Sequence, residues 1–116
     1  MPKRDWSLFL QDIHASSKKI ILYTTDISLP VLLKDHKTYD AVMRNLQIIG
    51  EAIKHLPAEI RAEYKNVNWK KAAGLRDIVV HEYFGINRDI IWDVIKNKIP
   101  ELEKEVKKIL KDIKKK

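Results

Sequence analysis

The sequence predicts an all-α protein, a compact up-and-down bundle of about five to six helices. Glycine and proline are scarce, with 3 and 4 copies among 116 residues. Apolar residues recur every three or four positions, as on one face of a helix, and do not alternate as in a half-exposed strand. An apolar share of 45% can fill one core. We therefore expect a single domain over residues 1–116.

The first half of the chain is predicted to form three helices. The first runs from about Asp5 to Thr25, and the sequence around Pro30 ends it. The second runs from about Thr38 to Leu56, and Pro57 begins a short third helix, because proline is favoured in a first turn. The inner side of the first helix is predicted to hold Leu8, Phe9, Ile13, Ile20 and Ile21. The core stripe of the second is predicted to consist of Val42, Met43, Leu46, Ile49, Ile53 and Leu56.

Cap residues and helix breakers divide the second half of the chain. Asn68 is a candidate N-cap for a fourth helix that extends to about Phe84. Gly85 is predicted to end that helix and Asn87 to cap a fifth. Pro100 is predicted to open the last helix, which is basic. The fourth helix is apolar on nearly all sides, so we expect it to be central.

The chain carries a formal net charge of +7. Much of this excess lies in a basic tail over about 104–116, at Lys104, Lys107, Lys108, Lys111, Lys114, Lys115 and Lys116. Such a run is typical of a solvated helix face with a frayed end. It also favours contact with polyanions, because a lysine near a phosphate releases condensed counterions.

Several classes of protein are disfavoured by what the sequence lacks. The chain has no cysteine, which excludes disulfides and thiolate sites. The histidines are scattered without ligand spacing, so we expect no metal and no cofactor. No apolar run approaches the length of a bilayer span, and no apolar signal segment follows the basic N-terminus. We expect a cytoplasmic protein without a membrane partner.

A line of polar residues runs beside the core stripe of the second helix. Its members are spaced four, three, four and four residues apart, which places them on one face, and they are Asp40, Arg44, Gln47, Glu51 and His55. Asp40 and Arg44 are predicted to form an ion pair. The line is either an exposed polar face or the border of a groove, in which case Arg44 and Glu51 line a cleft.

Arg76 stands on an unusual face of the fourth helix. On a helical wheel, Ala72, Ala73 and Tyr83 lie within roughly 60° of it, as do the valines at 79 and 80. Burying a guanidinium among such groups is costly unless a carboxylate or an anion meets it. Three explanations remain open: a pair with an internal acid such as Glu51, a place in a subunit interface, or a phosphate-binding role.

His81 follows Arg76 by five residues, about 140° around the wheel. Asp77, one turn before His81, is placed to hold the imidazole and raise its pKa. An ideal helix does not point Arg76 and His81 the same way. Either the helix loosens, or long side chains converge, or two subunits combine their residues. Taken alone, a histidine near a helix end is usually a cap or a surface group.

The segment from Arg76 to Tyr83 fits the pattern R-x4-H-x-Y and resembles the HepT branch of the HEPN superfamily. The resemblance extends from roughly Asp12 to Leu102. It includes the second-helix sequence YDAVMRNLQIIGEA, at residues 39–52, and the sequence HEYFG at residues 81–85. R-x4-H alone is a weak motif, but together with these surroundings the match is specific.

The resemblance implies a toxin of a type VII-like toxin–antitoxin system. Such proteins are helical bundles that dimerise and bring two R-x4-H motifs into one cleft. They are associated with metal-independent RNA cleavage, which here implies Arg76 and His81 as catalytic residues. The partner implied is a cognate MntA-like nucleotidyltransferase antitoxin, which transfers AMP to the tyrosine of the motif, Tyr83. The two components can form a higher assembly.

One residue departs from the family's pattern. Asp77 stands where many members carry asparagine. An acid there either tunes His81 or repels the phosphate of the substrate, and we expect an active protein.

Two other functions compete with RNA cleavage. A non-catalytic helical module would use the same cleft to bind its nucleotidyltransferase partner or a nucleotide. A basic DNA-binding bundle is less favoured, because no short helix-turn-helix stands out and the basic excess is terminal.

Overall fold

The computed structural model describes residues 5–77 and 88–114, and within these ranges the regular structure is entirely helical. The elements are α1 (Trp6–Thr24), α2 (Leu29–Lys34), α3 (His36–Lys54), α4 (Ala58–Glu63), α5 (Trp69–Ala73), a helical turn at 75–77, α6 (Arg88–Asp93), a π-helical turn (Val94–Lys98) and α7 (Ile99–Lys114). The predicted all-α class is confirmed. α1 packs along both α3 and α7, and these three helices form the centre of the fold.

Helix α1 begins where the sequence predicts. The side chain of Asp5 caps it by accepting a hydrogen bond from the backbone N–H of Ser7, at 3.0 Å. Leu10, Ile13 and Ile20 are fully buried, whereas Leu8 is 38% exposed. The prediction of Leu8 as an inner residue is therefore wrong. Leu10 follows Leu8 by two positions, a rotation of about 200° around the helix, so Leu8 faces away from the side that Leu10 buries.

Helices α2 and α3 are each started by a side-chain cap. Ser28 caps α2 and Pro30 lies in its first turn, so the predicted break after α1 contains a short helix of its own. Asp35 caps α3 by accepting from the backbone N–H of Thr38 at 3.1 Å, and the hydrogen bonds from Thr38 lower the pKa of Asp35. α3 thus begins at His36, two residues before the predicted start. All six residues of its predicted core stripe are buried.

The Asn68 cap is confirmed, and its helix is interrupted soon afterwards. The side chain of Asn68 accepts from the N–H of Lys71 at 3.1 Å. α5 ends at Ala73, where the N–H of Gly74 donates to the carbonyls of Lys70 and Lys71, and helix resumes at 75. The predicted end of this helix near Phe84, the Gly85 stop and the Asn87 cap lie outside the described residues.

Pro100 lies in the first turn of the last helix, α7, as predicted, but no break precedes that helix. Residues 88–114 are helical without interruption, and the turn before Pro100 widens into a π-helix in which the N–H of Ile99 donates to the carbonyl of Val94. Proline lacks an N–H, and its ring crowds the carbonyl four residues earlier, that of Lys96. A wider turn relieves this crowding. It also places the ammonium of Lys96 on the carbonyl of Thr24 at the end of α1, at 2.6 Å.

A side-chain hydrogen bond also joins α1 to α7. His14 Nε2 lies 3.0 Å from Glu103 Oε1, with each side chain 22% exposed. No helix in the described ranges is both long and apolar enough to cross a membrane.

Candidate functional site

The site around Arg76 is built on a close approach between backbones. Gly50, buried on α3, lies directly beside Arg76. A Cβ added at Gly50 would come within 2.8 Å of the backbone nitrogen of Arg76, 2.9 Å of its Cβ and 3.2 Å of the carbonyl oxygen of Ala73. A glycine inside a helix costs stability relative to alanine. Here its missing side chain allows the segment that carries Arg76 to lie against α3.

The next residue of α3 provides a charge for the same arginine. Glu51 Oε1 lies 4.0 Å from Arg76 Nε, and the two side chains are 47% and 46% exposed. The pairing with Glu51, one of the three explanations drawn from the sequence, is therefore present. The contact is long and solvated, so it adds little to stability.

Arg76 is not buried within the single chain, and the desolvation cost expected from the helical wheel does not arise. Leu75, 5% exposed, faces the core at this point, while Arg76 and Asp77 face outward. The turn at Gly74 explains the difference: the wheel assumed one ideal helix through residues 72–76, whereas the helix ends at Ala73 and resumes at 75. Ala73 is half-buried rather than set beside a buried charge.

The polar line on α3 is only partly a single surface. Arg44 and Asp40 are both exposed and do not form the predicted ion pair; Gln47 is half-buried. His55 contacts α1 instead, because its ring stacks on that of Phe9 with centroids 5.1 Å apart. The part of the line that belongs with Arg76 is therefore Glu51, with Arg44 two turns away on the same face.

Of the four predicted site residues in the segment from Arg76 to Tyr83, two can be placed and two cannot. Arg76 lies against α3 as described, and Asp77, which is exposed, donates its backbone N–H to the carbonyl of Gly74 at 3.0 Å. His81 and Tyr83 lie outside the described residues. The joining of Arg76 and His81 in one site, and the contact of Asp77 with His81, remain predictions.

Gly50 is the residue of this site that sequence reasoning did not identify. It belongs to the quoted second-helix sequence, but no role was assigned to it. A glycine in the middle of a long amphipathic helix, adjacent to an acid, was the available signal, because such a position often marks a close packing contact.

A groove of about 360 Å³ lies on the other side of the same segment. Its floor is apolar, and Ala72, Leu75 and Ile99 are among its lining residues. Lys71 and Lys98 contribute the basic part of its lining, Asp93 and the glutamates of α7 the acidic part. Within residues 5–77 and 88–114, no group of three or more histidine, aspartate or glutamate side chains could hold a metal ion.

Comparisons with known proteins agree with this architecture and motif. The model of the family described as "Ribonuclease HepT-like" matches residues 13–109. "Putative RNase MJ0127" of Methanocaldococcus jannaschii is 50% identical over 113 residues, which cover 97% of this chain and 93% of that protein. "Putative RNase TTE0752" of Caldanaerobacter subterraneus is 46% identical over 102 residues, covering 88% and 91%. No solved structure gives a significant match.

A further relative carries the family's own name. "Probable ribonuclease HepT" of Thermococcus cleftensis is 35% identical over 109 residues, which cover 94% of this chain and 99% of that protein. The matched family is a branch of the HEPN superfamily, and the all-helical fold of the described residues is consistent with it. The chain belongs to the ribonuclease HepT-like family of that superfamily. The resemblance drawn from the R-x4-H-x-Y motif and the second-helix sequence is confirmed.

Proposed function

We propose that this protein is a metal-independent ribonuclease that acts as a homodimer through Arg76 and His81. One observation carries the proposal: the backbone of Arg76 packs against Gly50 and its half-exposed side chain lies 4.0 Å from Glu51, at the position where the family motif begins. An arginine kept half-exposed by a loose ion pair can exchange its carboxylate for the phosphate of an incoming RNA. The names of the relatives as RNases support the same class of substrate.

The proposed chemistry uses the 2′-hydroxyl of the ribose as nucleophile. One His81 removes the 2′-OH proton while the oxygen attacks the adjacent phosphorus. The bond from phosphorus to the 5′-oxygen breaks, and the other His81 of the dimer donates a proton to that oxygen. The products are a 2′,3′-cyclic phosphate and a 5′-hydroxyl. Arg76 stabilises the charge that develops on the phosphorane.

Glu51 positions Arg76 for this role. The carboxylate lies near Nε, so the two terminal nitrogens of the guanidinium are left for two phosphate oxygens. Arg44, exposed two turns before Glu51, lies roughly 10 Å from it along α3 and adds a second positive charge to the lining of the cleft. Asp77, beside Arg76 and exposed, tunes His81.

A dimer would bring together the two motif residues that a single helix directs apart. An ideal helix turns Arg76 and His81 about 140° apart, so one subunit's Arg76 and the other's His81 can meet more readily in a two-fold cleft. The exposure of Arg76 and Glu51 leaves this face available for a second copy.

The biological role proposed is that of the toxin in a type VII-like toxin–antitoxin pair in the cytoplasm. The family resemblance supports it. The partner is an MntA-like nucleotidyltransferase, which inactivates the toxin by transferring AMP to Tyr83. If the motif forms an ideal helix, Tyr83 lies about 20° from Arg76 around its axis. The phosphate of an AMP group on Tyr83 would then bind Arg76 in place of an RNA phosphate.

Cleavage of purified total RNA in EDTA tests the enzymatic proposal. The preparation is first weighed by mass spectrometry, because AMP on Tyr83 would mask activity. Cleavage by the unmodified protein, lost in Arg76→Ala and His81→Ala, is the expected result. Absence of cleavage by unmodified protein would overturn it and favour a non-catalytic module that binds its partner or a nucleotide, in which His81→Ala leaves binding intact.

A further inference from the structure

The outward face of α7 carries a row of lysines that the catalytic proposal does not use. Five of them are exposed and lie within eleven residues, about 15 Å of helix axis: Lys104, Lys107, Lys108, Lys111 and Lys114. On a helical wheel they occupy an arc of roughly 120°. We call this set the lysine face.

The acidic residues of the same helix lie at the two edges of this arc, with Glu101, Glu105 and Asp112 at one edge and Glu103 at the other. Glu101 and Glu105 line the groove toward α5, and Asp112 accepts a hydrogen bond from the hydroxyl of Tyr64 at 2.6 Å. Glu103 pairs with His14 of α1. One lysine of the lysine face forms a salt bridge: Lys108 Nζ lies 3.5 Å from Glu105 Oε1. The other four lysines of the face form no ion pair with described residues.

The arrangement is unfavourable for an isolated helix. Lysines three and four residues apart are neighbours on a helix surface, and like charges there repel. The lysine face contains several such pairs, for example Lys104 with Lys107 and Lys107 with Lys111. All of them lie within about two Debye lengths at physiological salt. A polyanion lying along α7 would relieve the repulsion and release its own counterions.

We infer that the lysine face is a second RNA-binding surface, which holds the phosphate backbone of the substrate away from the cleft and without sequence preference. The inference rests on the proposed function, because it takes RNA to be the substrate. Lysine is suited to such binding, because its ammonium is a point charge on a flexible stem and contacts phosphates without fixed geometry. The planar guanidinium of Arg76, in contrast, binds the scissile phosphate with fixed geometry.

The salt dependence of RNA binding tests this inference. The probe is a fluorescent single-stranded RNA of about 20 nucleotides, 2′-O-methylated throughout so that it cannot be cleaved, titrated between 50 and 300 mM KCl. The variant carries Gln at Lys104, Lys107, Lys111 and Lys114. Glutamine has nearly the helix propensity of lysine, so α7 is preserved. The matched control carries Gln at four other exposed lysines: Lys18, Lys19, Lys34 and Lys37.

We expect the lysine-face variant to reduce the slope of log K against log salt by up to about 2.8, which is four contacts at about 0.7 each. Affinity at 50 mM KCl should fall about tenfold or more. The control should change the slope by less than about 1. Equal changes in the two variants, or no change in either, would overturn the inference. The double variant Lys107→Gln/Lys111→Gln should give about half of the change and guards against misfolding of the quadruple variant.

Cleavage of a dinucleotide separates the two proposals. A dinucleotide reaches only the cleft, so the lysine-face variant should cleave it as fast as wild type does, while its KM for long RNA rises. A wild-type protein that cleaves neither substrate overturns the proposed function, and the binding titration still decides the role of the lysine face.

Discussion

The backbone of Arg76 rests against Gly50 of α3, so that a methyl group at position 50 would lie 2.8 Å from the Arg76 nitrogen. Real Cβ atoms do not come this close to another backbone, so a side chain at position 50 must displace the segment that carries Arg76. The contact therefore links the packing of α3 to the position of the proposed phosphate-binding group.

Gly50→Ala should impair RNA cleavage more than it impairs folding. Overpacking of this kind costs about 1–3 kcal/mol in the free energy of unfolding. Displacing Arg76 by about 1 Å should lower kcat about a hundredfold. Urea unfolding and cleavage kinetics measure the two effects. Ile53→Val, a mild truncation in the fully buried core of α3 that costs about 0.5–1.5 kcal/mol, is the matched control for a loss of stability alone. Equal activity of the two variants would disprove the role assigned to Gly50.

Glu51→Gln should separate binding from catalysis. Removing the negative charge beside Arg76 strengthens attraction for RNA, so KM at low salt should fall. Losing the partner of Nε lets the guanidinium move, so kcat should fall about tenfold. Steady-state kinetics on a defined RNA measure both. Gln47→Glu, which adds a charge one turn away without altering the pair, is the comparison. A parallel rise of KM and fall of kcat would instead indicate simple structural damage.

Leu10→Ala and Leu8→Ala should differ sharply in stability although the two residues are close in sequence. Leu10 is fully buried, and its truncation should lower the free energy of unfolding by about 2–5 kcal/mol. Leu8 is 38% exposed, and its truncation should cost below about 1 kcal/mol. Chemical denaturation of both variants provides the measurement. Similar losses would mean that α1 buries a different side.

Lys96→Met should weaken the junction of α1 and the π-helical turn. The ammonium of Lys96 donates to the Thr24 carbonyl at the end of α1, where an unpaired carbonyl would otherwise remain. We expect a loss of about 1 kcal/mol in the free energy of unfolding. Lys98→Met, at an exposed position of the same turn, controls for the change of charge. Equal stability of the two variants would argue against the cap.

Local rules predicted the fold where one segment determines its own structure. The core stripe of α3 follows from helical periodicity, and the Asn68 cap follows from side-chain chemistry within three residues. Leu8 was misplaced because the choice of the buried face of α1 depends on where α3 and α7 lie. Pro100 marked the first turn of α7, but the sequence did not predict the π-helical turn that joins α7 to α6 without a break.

The candidate site was predictable in its residues and not in its environment. The motif singled out Arg76 from its pattern, and the pair with Glu51 was one of the alternatives considered. Its exposure was not predictable, because the turn at Gly74 breaks the ideal helix on which the wheel depends. The contact with Gly50 joins residues 26 positions apart in the chain, and no local pattern reveals such a contact.

The chemical ends of the cleaved RNA test the central claim most directly. A defined single-stranded RNA is incubated in EDTA with unmodified wild type, Arg76→Ala or His81→Ala, and the products are weighed. We predict fragments with a 2′,3′-cyclic phosphate and a 5′-hydroxyl from wild type alone, and none from an RNA with 2′-deoxyribose at the cleaved position. Fragments with a 5′-phosphate, or cleavage that persists in both variants, would contradict the account.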